Sequence, residues 1–147
     1  MGHRKRTTMG HQIKTSVRIL ASPERVYAIL TDLERYVEWN PFIRPATGQP
    51  RAGEPLQLTI GGTRFRPRVL VAEPGREFRW LGKLGFGGLF DGEHYFLLRP
   101  DGPGATVVEQ GERFSGLLVP LLRRKLDTDT VAGFRAMNEA LRKRAEG

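Results

Sequence analysis

SPERVYAILTDLERYVEWNPFI, residues 22–43, holds a complete helix start followed by an aromatic corner. Ser22 suits the N-cap, Pro23 the first helical position and Glu24 the positive end of the helix dipole. Val26, Ile29, Leu30 and Leu33 then recur at helical spacing as one apolar stripe. Beyond them Tyr36, Trp39 and Phe42 crowd into a short segment, and Pro41 stops any second short turn. So much aromatic surface in an irregular stretch either plugs a core or walls a cavity.

The flanking pattern supplies the rest of the fold. Upstream, Ile13, Thr15, Val17 and Ile19 alternate with Lys14, Ser16 and Arg18, which predicts a half-buried strand. Downstream come short alternating runs separated by turn residues. Leu56, Leu58 and Ile60 stop at Gly61-Gly62, and Phe65, Pro67, Val69 and Val71 stop at Glu73-Pro74-Gly75. Phe78 and Trp80, then His94, Phe96 and Leu98, then Val108, Gln110, Glu112 and Phe114 continue the series. Serial strands with short turns predict an antiparallel meander, with Pro67 marking an edge or a bulge. From Val119 to Ala145 one long helix is expected, with Leu122, Leu126, Thr130, Phe134, Met137 and Leu141 on its buried face.

The chain has 147 residues, 39% hydrophobic and 27% charged, which suits a single folded domain over residues 11–147 behind a basic tail of residues 1–10. It has no cysteine, so disulfide and thiolate chemistry are excluded, in keeping with a cytoplasmic location. Neither a signal-peptide h-region nor an apolar run of roughly 20 residues occurs. The net charge of +8 raises the question of nucleic acid, but the basic residues are spread along the chain. No zinc-finger, RNP-type or helix-turn-helix pattern accompanies them, so no specific nucleic acid is expected. An anionic partner or peripheral contact with a membrane surface stays open on charge alone, as does the choice of monomer or homodimer.

The order strand, two short helices, antiparallel strands and long C-terminal helix resembles the helix-grip fold. SPERVYAILTDLERYVEWNPFI is similar to the first-helix region of the START-like (SRPBCC) superfamily, in its bacterial polyketide cyclase/dehydrase-like branch. FDGEHYF and ERFSGLLVPLL resemble the late strands and final-helix entry of a ligand-binding subfamily of that branch. The resemblance spans residues 12–145. It implies an α+β architecture in which a curved antiparallel sheet of six to seven strands wraps the long helix, leaving a cavity between them. It also implies a small hydrophobic ligand, lipid-like or aromatic, and no cofactor. Tyr36, Trp39 and Phe42 would then close one end of the cavity.

The hairpin of residues 91–114 gives the sharpest local expectation. A turn centred on Gly102 pairs Leu98 with Thr106, Phe96 with Val108 and His94 with Gln110, leaving Glu112 diagonal to His94. Phe96, Leu98 and Val108 belong inside, so His94, Gln110 and Glu112 point inward with them. Buried polar groups cost energy unless paired. Either these three satisfy one another or they form the polar end of a ligand pocket. A cyclase-type enzyme would use His94 and Glu112 to move protons.

The expected apolar lining is Phe78, Trp80, Phe90, Phe114, Phe134 and Met137, beside Phe96. Gly133 within the long helix implies the close approach of a neighbour, and the apolar, glycine-rich run from Gly82 to Phe90 suits a lid, a surface loop or a dimer contact. Metal binding is not expected: His94 is the one histidine outside the N-terminal stretch, and no cysteine accompanies it. No P-loop or nucleophile elbow is present.

Overall fold

The computed structural model describes residues 10–84 and 87–147. The chain begins with β1 (His11–Ile19) and α1 (Pro23–Thr31), passes through a 3₁₀ turn (Leu33–Arg35) and reaches α2 (Tyr36–Trp39). Ser22 caps α1 as its sequence suggests, its side-chain oxygen accepting from the Arg25 N–H at 3.2 Å. Val26, Leu30 and Leu33 are buried and Ile29 is half-buried. At the aromatic corner Asn40 is fully buried, and its Oδ1 accepts from the backbone N–H groups of Phe42 and Ile43 at 2.8 and 2.9 Å. That local turn ends α2 and launches β2 (Ile43–Gly48), a strand absent from the sequence reading.

β3 (Leu56–Ile60) and β4 (Thr63–Phe65) complete a three-stranded sheet in the order β2-β3-β4. β5 (Arg68–Glu73), β6 (Glu77–Lys83), β7 (Asp91–Pro100) and β8 (Thr106–Ser115) join β1 in a five-stranded sheet ordered β1-β8-β7-β6-β5. The described residues thus hold eight strands in two sheets, against the six to seven expected in one. Pro67 separates β4 from β5, because proline cannot donate to a ladder, and β5 is an edge strand with a bulge between Val69 and Val71.

The β7–β8 hairpin is paired two residues away from the expected register. His94 lies opposite Glu112, Phe96 opposite Gln110 and Leu98 opposite Val108. The loop is Asp101–Ala105, closed by the Asp101 N–H donating to the Ala105 carbonyl at 2.9 Å, so its centre is Pro103 and not Gly102. A shift of two pairs preserves every side chain's face, so the inward set survives.

The C-terminal helix runs through α3 (Val119–Lys125), a π-helical turn (Leu126–Thr130) and α4 (Val131–Glu146). Its apolar positions 122, 126, 130 and 134 are spaced by four, which drifts about 40° per step on a regular α-helix. A locally wider π turn absorbs that drift and keeps the four on the sheet-facing side. Met137, Leu141 and Ala145 join Phe78, Phe96, Leu98 and Val108 in the main core. Phe134, Leu126 and Val119 join Ile13 and Phe114 in a second cluster.

Phe42 stacks edge-on to Phe134 at 5.6 Å, and its ring occupies the space that a Cβ on Gly133 would need. Gly133→Ala should therefore destabilise the protein by about 1–3 kcal/mol through overpacking, despite the roughly 1 kcal/mol helix-propensity gain. Adding Phe42→Leu should recover most of the loss in a thermal denaturation series. A Gly133→Ala protein as stable as wild type would mean that the Phe42 ring is free to move aside.

Candidate functional site

Hairpin alternation sends His94 from β7 and Gln110 and Glu112 from β8 to the concave face of the sheet. His94 is 2% exposed and Gln110 fully buried, while Glu112 is half-buried. His94 Nδ1 lies 3.0 Å from Glu112 Oε1, and His94 Nε2 lies 3.0 Å from Gln110 Oε1. The Gln110 amide donates to Asn138 Oδ1 at 2.6 Å and to the Phe134 carbonyl at 3.3 Å. Asn138 Nδ2 donates to Thr15 Oγ1 at 2.9 Å, and that hydroxyl donates to the Gln110 backbone carbonyl at 2.8 Å. A closed polar network thus joins β1, β7, β8 and α4. Thr15 and Asn138 escaped the sequence reading because each looks unremarkable within its own element; the signal was a polar residue on an otherwise apolar face.

The His94 ring is held between aromatic groups. Trp80 stacks on it at 4.7 Å between centroids with the planes 11° apart, and Phe134 meets it edge-on at 4.9 Å. Gly92, two residues before His94 on the same face, has no side chain, and the Glu112 carboxylate occupies the space its Cβ would need. This vacancy fixes where the carboxylate can lie.

A cavity of about 200 Å³ opens beside this group. One wall comes from the five-stranded sheet through Trp80, Gly92, His94, Glu112 and Phe114. A second comes from β3, β4 and the break after them, through Leu58, Ile60, Thr63, Phe65 and Pro67. Phe42, Leu126 and Thr130 contribute from the helical side, and Lys83, Leu84 and Phe90 stand at the mouth. Gly85 and Phe86, part of the run read as a lid, lie outside the described residues.

The expected site residues divide into two groups. Phe42, Trp80, Phe90, His94, Glu112 and Phe114 line the cavity. Phe78, Phe96, Phe134 and Met137 are core, and Gln110 lies behind His94 in the polar network. Tyr36 and Trp39 do not close the cavity: they pack edge-on to each other at 5.2 Å, away from its walls. Tyr36 is fully buried and donates to the Leu30 carbonyl at 2.6 Å, and burial pushes its phenol pKa upward, so it stays a neutral donor. Within the aromatic corner Tyr36 is thus a core plug and Phe42 a cavity wall. Leu58, Ile60, Phe65 and Pro67 were legible in alternating runs and Thr63 was not, and only the meeting of the two sheets with the helix places all five on one cavity.

Among the described residues no group of three or more His, Asp or Glu side chains is placed to hold a metal ion. No helix among them is long and apolar enough to cross a membrane.

Comparison with known proteins adds identity to this geometry. A START superfamily protein from Mycobacterium smegmatis superposes with a TM-score of 0.71 at 25% identity, covering 92% of this chain and 97% of its own. A hypothetical protein from Helicobacter pylori superposes with a TM-score of 0.80 at 13% identity, covering 92% and 88%. The Zhui aromatase/cyclase from a Streptomyces species gives 0.75 at 14% identity, covering 92% and 93%. At such identities the last two speak for the fold alone. No curated protein matches the sequence. The family model described as "Polyketide cyclase / dehydrase and lipid transport" matches residues 10–146, and the chain belongs to that family, with the START helix-grip fold.

Proposed function

We propose that this protein binds a small hydrophobic molecule in the cavity between the two sheets and the C-terminal helix. The observation that carries the reading is a mostly apolar hollow with the His94–Glu112 pair on its wall, set against the main core. Apolar walls with few polar groups are the usual composition of a ligand site. A hollow of about 200 Å³ filled at the density of a protein interior, ~0.75, takes a ligand on the order of ten non-hydrogen atoms. That is the size of a fused two-ring aromatic or a short branched chain, well below a membrane lipid.

A cyclase-type enzyme is the second reading, favoured by the 3.0 Å contact of His94 with Glu112 at the cavity wall. Cyclisation with loss of water needs a proton removed from carbon and another delivered to the departing hydroxyl. Both ring nitrogens of His94 face partners inside the network, so Glu112 alone would have to serve both steps. Binding without turnover is the simpler account of that arrangement.

Fluorescence titration with naphthalene should give saturable, one-to-one binding. Thr130→Trp changes a half-buried helix position on the cavity wall and should weaken it at least about tenfold, or 1.4 kcal/mol, with the thermal midpoint little changed. Failure to saturate, or a Thr130→Trp protein that binds as well as wild type, would remove this site. A linear poly-β-ketone offered to the wild type should be recovered unchanged. Turnover that falls about 10²–10⁴-fold in Glu112→Gln would instead establish the enzyme.

A further inference from the structure

Two backbone carbonyls set the direction of the hydrogen bonds from Thr15 through Asn138 and Gln110 to His94. The Gln110 carbonyl can only accept, so the Thr15 hydroxyl spends its one hydrogen there. Thr15 Oγ1 must then accept from Asn138, which turns the Asn138 amide oxygen toward Gln110. The Phe134 carbonyl independently requires the Gln110 NH₂ group on that same side. Gln110 Oε1 is left facing His94 Nε2, so Nε2 carries a proton and donates it. The amide orientations and the histidine tautomer follow from this closed set of donors and acceptors, with no free choice.

His94 Nδ1 then faces Glu112 Oε1 with one proton between them. Whether nitrogen or oxygen holds that proton, Glu112 Oε2 has none. Oε2 has no hydrogen-bond partner among the described residues, and it occupies the space above Gly92, where both residues line the cavity. His94 has no nitrogen left to offer. On this wall the cavity therefore presents an acceptor and no donor from this network. The cation Lys83 stands at the mouth, on the opposite side of Gly92 along the β6–β7 ladder from His94.

We infer that the cavity selects a ligand whose buried end donates a hydrogen bond to Glu112, as a hydroxyl, phenol or amine does, and rejects a buried carboxylate, ether or carbonyl. The selection rests on the binding reading above and gives the chemical class of the ligand. Thr15, Asn138 and Gln110 are positioning residues in this scheme, since they act on the ligand only through His94 and Glu112.

The test compares three neutral probes of nearly one size: naphthalene, β-fluoronaphthalene and β-naphthol. Only β-naphthol can donate. It should bind wild type about five- to tenfold more tightly than β-fluoronaphthalene, as expected for one hydrogen bond gained. In Glu112→Leu, which removes the acceptor, that preference should fall to about twofold or less. In Lys143→Met it should persist, because Lys143 is exposed on α4 and does not line the cavity. Equal affinities for the two substituted probes in wild type, or a preference undiminished in Glu112→Leu, overturn the inference while leaving the cavity's binding role in place. Failure of all three probes to bind overturns both. If Glu112→Leu does not fold, the wild-type comparison decides alone.

Discussion

Gln110 holds the sheet and the C-terminal helix in one relative position. Its side chain joins β8 to Asn138 and the Phe134 carbonyl of α4 and to His94 of β7, and its own carbonyl takes the Thr15 hydroxyl of β1. Apolar packing is tolerant of small slides, because dispersion contacts re-form at a new offset. A buried amide is not, since each hydrogen bond lost leaves a partner desolvated at about 1–3 kcal/mol. A helix shifted by one turn would strand several such groups at once. The grip of the sheet on the helix is thus fixed by a few polar atoms inside an apolar interface.

The cavity lies where the two sheets and the helix meet. Pro67 separates β4 from β5, while the Leu56 N–H donates to the Pro67 carbonyl at 2.8 Å and the Val69 N–H to the Glu54 carbonyl at 2.9 Å, tying the two sheets together beside it. The helix side cannot fill the gap, because Phe42 is drawn onto Gly133 and Phe134 and the π turn presents Leu126 and Thr130. On the sheet side the missing side chain of Gly92 leaves room for a carboxylate where another residue would complete the packing. The resulting hollow is mostly apolar, with Thr63, Lys83, His94, Glu112 and Thr130 as its polar lining.

The arginine-rich surface has local partners for much of its charge. Arg79 bridges Glu77 at 2.7 Å and Glu93 at 2.8 Å on β6 and β7, and its guanidinium lies 4.7 Å from the centre of the Tyr95 ring. Arg25 donates to the Ala145 carbonyl at 2.7 Å and so caps the end of α4, while Arg142 pairs with Glu139 and Glu146 along it. Exposed pairs of this kind contribute little each. Because each joins a base to an acid, the net charge of +8 is left in place.

Local chemistry was enough for much of the fold. Ser22-Pro23-Glu24 fixes a helix start, the period-two alternation of Ile13 to Ile19 and of His94 to Phe114 fixes strands and their inward faces, and the four-residue spacing of Leu122 to Phe134 fixes the buried side of the last helix. Gly133 announced a close neighbour. These are short-range facts, set by backbone sterics and side-chain periodicity, and a register error of two residues left them intact. What the sequence could not contain is distance between elements. β2 was invisible because Ile43–Gly48 carries Pro45 and a single buried alanine, and it forms only against β3. That Thr15 and Asn138 finish the Gln110 network, that His94 spends both nitrogens inward, and that Leu58 to Pro67 face a hollow all depend on segments up to 123 residues apart meeting in space. Tertiary packing decided those points, because hydrogen-bond direction and empty volume are properties of several elements together.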